Sequence, residues 1–484
     1  MSKKKLLTGV LAVLSAAFVA TSCGESNDNG KTSSAQESSQ SEQNSSTTTD
    51  GLAKFDEQVA ALGDLKQLSC EVTFWHTIGK TNQETLDSMI AEFNKLYPNI
   101  KITHSQQGGY DDVKSAVSNA IPAGTTPTMT YCYPDHVADY LPSDSVVKLD
   151  NYMNSSLIGL GVDNGLDDKG ASDFIQTYLS EGNNYTVNGK KVEGYYSMPF
   201  SKSTEVLFYN KDAFEENGWE VPQTWDQMWS LCKTAKEIYG DDVTPLGYDS
   251  DANFFITYCA QNNIPYTTGE GNEHFLFNND KAKAFVNTIK DYSCVTGGKG
   301  YWTSQTQLGS GTYTSTKFTN QEVLMSIGST GGTTYNVSSN FETGVAALPQ
   351  SDLNNGKVIM QGPSICFMSD SSLSQRVGAW LFYKYITNTH NSAIWSSMTG
   401  YNPVRTSSFA DSAYATSKYS LVNTVLNFAG TGSSYADWYY TSPSFKGSSA
   451  ARSEITSLMS GVLTGTKTVD QAFEDAYQNC LFAA

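Results

Sequence analysis

The residue types in this 484-residue chain that could do chemistry are spaced for holding a ligand, and no reaction centre emerges from them. Gly79-Lys80-Thr81 resembles the end of a phosphate-cradling loop, but the glycine such a loop needs five residues earlier is Phe74. There is no G-x-S-x-G elbow and no H-E-x-x-H pair, and His76, His104, His136, His274 and His390 lack metal-ligand spacing. Asp135-His136 has the types of half a catalytic pair. Neighbours at a strand end point in opposite directions and no nucleophile accompanies them, so a binding or structural role is the reading. A glycosidase would need two carboxylates about 5 to 9.5 Å apart, and Asp249 or Asp251 would have to supply the partner of Asp135.

Aromatics make up 12% of the chain against 17% charged residues, and many rings sit where strands are expected to end. Rings that stack on the apolar faces of a sugar, beside hydroxyls and amides that pair with its hydroxyls, need that composition. Most of the rings are expected in the core, with six to ten on ligand. A formal charge of −18 excludes nucleic acid and anionic lipid as direct partners. Beyond Cys23, the cysteines Cys70, Cys132, Cys232, Cys259, Cys294, Cys366 and Cys480 have no C-x-x-C and are odd in number. They read as buried free thiols, with one bridge left open.

The N-terminus gives an address. Lys3-Lys4-Lys5, an apolar stretch from Leu6 to Ala20, and small residues ending at Cys23 make residues 1–22 a secretory signal. The stretch is short of the roughly 20 residues a stable span needs. Small residues ending on a cysteine resemble a bacterial lipobox, which makes Cys23 the lipidated first residue of the mature chain. Residues 23–54 follow as a Ser/Thr/Asn/Gln-rich tether, whose composition cannot bury enough surface to fold. As a coil, it would hold the folded part on the order of 30 Å from its anchor.

The elements that must position a binding site follow from period. Glu71–Trp75 reads as a strand, and Leu86, Met89, Ile90, Phe93, Leu96 and Tyr97 share one helical face that Pro98 ends. Ile100 and Ile102 alternate as a strand, Val113 to Ile121 forms a second helical stripe stopped by Gly124, and Thr128–Tyr133 is a third strand. This order predicts parallel pairing with right-handed crossovers. Further on, Glu205–Tyr209 and Val323–Gly328 are strands, Thr224 caps a helix from Trp225 to Ala235, and helices return near 374–387 and 448–463. The length beyond residue 55 predicts two lobes.

Five stretches then carry a resemblance: Phe74-Trp75-His76-Thr77; Gln107-Gly108-Gly109-Tyr110-Asp111-Asp112; Tyr133-Pro134-Asp135-His136; Met198-Pro199-Phe200-Ser201-Lys202-Ser203-Thr204 running into Leu207-Phe208-Tyr209-Asn210-Lys211-Asp212; and Thr399-Gly400-Tyr401-Asn402-Pro403-Val404. In this order they resemble the extracellular solute-binding proteins of carbohydrate ABC importers, most of all the glycerol-3-phosphate-binding branch, from about residue 69 to the end. The resemblance implies an α/β clamp of two lobes, each a mainly parallel sheet flanked by helices, joined by three crossovers with ligand in the cleft between. It implies crossovers near Ser203, Gly362 and Tyr401, hence lobe one at 69–201 plus 364–399 and lobe two at 204–361 plus 403–484.

Carried over by position, it implies that Tyr110 and Asp135 line the cleft from lobe one, with Trp75 and His76 near the end of the first strand. Ser203 and Thr204 line it at the first crossover, Trp225 stacks on ligand unless its place on a helical stripe puts it in the core, and Ser329 and Thr330 present hydroxyls. Gly362 lets backbone approach ligand closely. Tyr401 marks the third crossover and Arg452 opens the last long helix. Pro363 departs from the family pattern, which commonly has a second glycine there, and His136 has no counterpart. The expectation is a monomeric, membrane-tethered receptor without enzymatic activity or cofactor, delivering solute to the transmembrane subunits of an ABC permease from the outer side of a bacterial membrane. A neutral sugar would rest on Trp225, Trp302 and Tyr401; a glycerol-phosphate ligand would rest on Arg452, with Arg405 in reserve. A secreted carbohydrate-active enzyme and an adhesin are the competing classes, and the parallel-sheet pattern gives the adhesin no support.

Overall fold

The computed structural model describes residues 49–309, 311–426 and 435–483. The signal sequence, Cys23 and the tether up to residue 48 lie outside the described residues. The end of the expected tether is corrected: residues 49–54 begin a helix, Thr49–Ala60, because Phe55 and Val59 recur on one face and bury against the first core, with the Phe55 and Tyr152 rings 4.7 Å apart.

Two sheets organise the rest. In the first, strand Cys70–His76 lies between Ile100–Gln106 and Met129–Cys132, parallel to both. Helix Lys80–Leu96 returns the chain between the first two strands, burying Leu86, Met89, Ile90 and Phe93. Strand Ser364–Phe367 then adds antiparallel to Met129–Cys132 and carries Met198–Pro199 beyond it. The second sheet is built around Ser203–Asn210, antiparallel to Val323–Ser329, Thr343–Ala346 and Val358–Gln361. Val323–Ser329 pairs in parallel with Thr244–Tyr248, which pairs in parallel with Trp302–Ser304. Helix Trp225–Tyr239 packs against Thr244–Tyr248, started by Thr224, whose hydroxyl accepts from the Gln227 amide while Gln227 answers in kind.

Both sheets are therefore mixed, which corrects the expected mainly parallel pattern. A strand arriving from the other lobe enters its sheet from the opposite end to a strand delivered by a local helix. Met198–Pro199 belongs to the first sheet and Ser203–Asn210 to the second; Val358–Gln361 belongs to the second and Ser364–Phe367 to the first. Each sheet has its own apolar core, one around Phe74, Phe93 and Trp380, the other around Phe208, Phe254 and Phe473.

The expected start of the second lobe's last segment at residue 403 is too early. Arg405 is fully buried among first-lobe groups, donating to the carbonyls of Thr387 (2.7 Å) and Gly170 (2.7 Å) and to Asp168 (2.8 Å), with its guanidinium over the Phe174 ring. Fully buried and paired with Asp168, Arg405 is no reserve site for phosphate.

Candidate functional site

The three crossovers converge on one residue. Lys202 is fully buried and donates to Glu181 and, at 2.8 Å, to the carbonyl of Gly362 in the second crossover. Its own carbonyl accepts from the amide of Asn402 in the third crossover at 2.7 Å. Two cavities open around this junction. One, of about 260 Å³, is lined by Thr77–Gly79, Asn82, Gly108, Gly109, Tyr110, Tyr131, Trp395 and Tyr401. The other, of about 340 Å³, is lined by Asn82, Tyr110, Tyr133, Ser203, Ser329, Gly331, Gly332, Tyr335, Gln361, Gly362, Thr399 and Tyr401.

Tyr110 and Tyr401 border both cavities, and their hydroxyls meet at 3.1 Å. Tyr110 stands at the first position of helix Tyr110–Ala120, where Gly109 caps the helix and Asp112 accepts from the Gly109 amide at 2.8 Å. Its ring meets Tyr133 edge-on at 4.9 Å. Burial pushes the phenols of Tyr131, Tyr133 and Tyr401 well above their ordinary value, so they stay neutral hydroxyls. No residue lining either cavity carries a formal charge among the described residues.

Of the residues expected at the site, Tyr110, Ser203, Ser329, Gly362 and Tyr401 are brought together here. The others are placed elsewhere. Trp225 is core: its ring stacks on Phe254 at 5.0 Å and its indole N–H donates to Gln261. Trp302 is fully buried, donating to the Ile289 carbonyl. The helical stripe that carries Trp225 marked it as apolar core, and that signal outweighed the analogy. Thr204 and Thr330 are buried with their hydroxyls on backbone groups: the Thr330 hydroxyl accepts from the Thr204 amide, and the Thr204 hydroxyl donates to the Ile359 carbonyl. Asp135 turns back onto the His136 amide at 2.9 Å, in the first turn of helix Pro134–Tyr140. Trp75 packs against the Val113 and Val117 side of the first sheet.

His76 is fully buried and holds the cavity-lining loop from behind: its Nδ1 accepts from the Ile78 amide at 3.0 Å, so its Nε2 carries the proton toward His104 Nδ1 at 2.8 Å. Burial pushes His76 down to about 4. Arg452 lies behind the cleft and donates to Asn253 Oδ1.

Sequence reasoning passed over Asn82, Tyr131, Tyr133, Tyr335, Gln361, Trp395 and the glycine pairs. Several had a signal: Tyr133, Gln361 and Gly331-Gly332 follow or end strands, and Gly79, dismissed as a failed phosphate loop, caps the helix Lys80–Leu96 that starts at the cavity. Trp395, on helix Thr389–Thr399, had none.

Beneath the second cavity Glu205 is buried, accepting from Tyr248 (2.6 Å) and Asn253 (2.7 Å). Burial pushes its carboxyl up to about 7 against those hydrogen bonds and the Arg452 charge. The folded-state value lies above the unfolded one, so Glu205 contributes stability that is fully present below the ordinary carboxylate range and lost as pH rises through about 7. The unfolding free energy of wild type minus that of Glu205→Gln is expected to fall by about 2 kcal/mol between about pH 5 and pH 8. Urea titrations of both proteins across that range measure it, and a flat difference contradicts it.

The model of the family described as bacterial extracellular solute-binding protein matches residues 88–419. The chain belongs to that family. It is 25% identical over 367 residues to the sn-glycerol-3-phosphate-binding periplasmic protein UgpB of Pectobacterium atrosepticum, covering 71% of this chain and 75% of the relative. Its fold matches the GacH receptor of Streptomyces glaucescens, solved unliganded and with acarbose, at a TM-score of 0.65 and 19% identity over 85% of this chain and 97% of the receptor. It also matches UgpB of Mycobacterium tuberculosis in complex with glycerophosphocholine, at a TM-score of 0.65 and 18% identity over 86% and 98% of the two chains. Family membership and these folds agree with the two-lobed clamp and its interlobe cleft.

Proposed function

We propose that this chain is the solute-capturing component of an ABC importer, held by lipid on Cys23 at the outer face of a bacterial membrane, and that it passes a neutral sugar or oligosaccharide from its cleft to the permease without altering it. The observation that carries the solute class is the lining: tyrosines, a tryptophan, hydroxyls, amides and glycines, with no formal charge. Such a wall stacks on pyranose faces and exchanges hydrogen bonds with hydroxyls, whereas a phosphate draws in fixed cations. Lobe closure then follows from contacts to both sides, and its extent is set by the solute's differential affinity for the closed state.

A glycerol-phosphate solute is the second reading, and a specific feature favours it. The helices Lys80–Leu96 and Tyr110–Ala120 both begin at the smaller cavity, through Gly79 and Gly109, and their free amides suit an anion. Calorimetry with maltose, sn-glycerol 3-phosphate and glycerophosphocholine separates the two. Maltose is expected to bind intact, and Tyr401→Ala to weaken it at least tenfold, since the ring and its hydroxyl border both cavities. Tight glycerol 3-phosphate binding with no sugar bound at millimolar concentration overturns the preference for sugar, and release of glucose from maltose overturns the non-enzymatic reading.

A further inference from the structure

The amide of Gln361 ends strand Val358–Gln361 at the wall of the larger cavity, two positions of the pleat from the neighbouring Glu205 on the paired strand. Its Nε2 donates to Asn253 Oδ1 at 2.7 Å. Asn253 is itself buried near the start of helix Asp251–Gln261, with Nδ2 donating to Glu205 Oε1 at 2.7 Å and Oδ1 also accepting from Arg452. The Glu205 carboxyl stands on one side of the Asn253 amide and a guanidinium that only donates on the other. Flipping Asn253 would set two donors against each other at Arg452 in either protonation state of Glu205, so its direction is locked. Gln361 must then spend its amide nitrogen on Asn253, and among the described residues its Oε1 accepts no hydrogen bond.

We propose that Gln361 is a specificity-determining residue that offers the solute a fixed hydrogen-bond acceptor, its carbonyl oxygen, and that Asn253, itself oriented by Arg452, is the positioning residue that holds it so. Resting on the solute-capture reading, this assigns the Gln361 side of the cleft to a hydroxyl or N–H donor and against a phosphate oxygen, which has nothing to donate. An acceptor that the bound solute shuts off from water and leaves unmatched discriminates strongly, so an analogue lacking the right hydroxyl is rejected far more than one lacking a methylene.

Neutron diffraction on the protein without solute reads the amide directly: deuterons on Gln361 Nε2 directed at Asn253 Oδ1 are expected, and deuterons directed into the cleft from that amide, with Oε1 on Asn253, overturn the proposal. Calorimetry with maltose and its monofluoro-deoxy analogues reads the consequence. In wild type at least one analogue is expected to bind tenfold or more weaker than maltose. That ratio collapses toward one in Gln361→Met and Asn253→Leu, and survives in Glu205→Gln, which leaves Arg452 holding the Asn253 amide. Thermal melts confirm that each variant is folded. A ratio unchanged in folded Gln361→Met overturns the proposal. Absence of maltose binding alongside the expected deuteron positions counts against the oligosaccharide reading and leaves the fixed acceptor standing.

Discussion

Lys202→Met is expected to cost about 3–5 kcal/mol of unfolding free energy, the range for stripping one partner from a buried ion pair. Lys202 and Glu181 have side chains 0% and 2% exposed, and Glu181 would be left with the Ser364 hydroxyl at 3.2 Å and no cation. The same substitution also frees the Gly362 carbonyl, which loses its 2.8 Å donor inside the junction of the crossovers. Urea denaturation of the single variant and of Lys202→Met with Glu181→Leu separates the two contributions. The double variant should recover most of the loss, because a buried pair replaced by apolar groups of similar volume is close to neutral. A single-variant loss under about 1 kcal/mol would mean that the pair is hydrated, and would remove Lys202 as the tie between crossovers.

Lys202 also illustrates what the sequence made legible and what it did not. The crossover strands were readable from the ordered family stretches, and periodicity located helices Lys80–Leu96, Trp225–Tyr239 and Ser448–Leu463 to within a few residues. Those signals are local: one helical face, one cap, one terminating proline or glycine. The Lys202 tie joins residues 181, 202, 362 and 402 in space, and no local pattern encodes it. The candidate site divides in the same way. Tyr110, Ser203, Ser329, Gly362 and Tyr401, which the resemblance placed at the cleft, border the two cavities. Trp225 lies in the core because a large ring on an apolar helical stripe packs inward, and Trp302 is buried in the same core on strand Trp302–Ser304. Helix Thr49–Ala60 was hidden because only Phe55, Val59 and a few other apolar residues mark its inner face after a long polar run.

Gly362→Ala is expected to be the most damaging single-methyl change in the crossover region. Gly362 has φ of +88°, which by itself costs a residue with a Cβ roughly 1–2 kcal/mol. Beyond that, an added Cβ would lie 1.9 Å from the Ser201 carbonyl oxygen and 2.9 Å from Lys202 Cα, both backbone atoms of the first crossover. The two segments cannot part without further loss, since the Ser201 amide donates to the Pro363 carbonyl at 3.1 Å and Lys202 clasps Gly362. Gly124→Ala provides the reference: φ there is +62° and an added Cβ meets nothing within 4 Å, so it reports the conformational cost alone. Urea denaturation should give Gly362→Ala a loss at least about 2 kcal/mol larger than Gly124→Ala, the excess being the overpacking of two backbones. Solute binding should fall with it, because Ser203 and Gly362 share the wall of the larger cavity and cannot separate without moving that wall. Equal losses in the two variants would mean that the crossovers slide apart freely, and the clamp would then hinge on the third crossover near Tyr401.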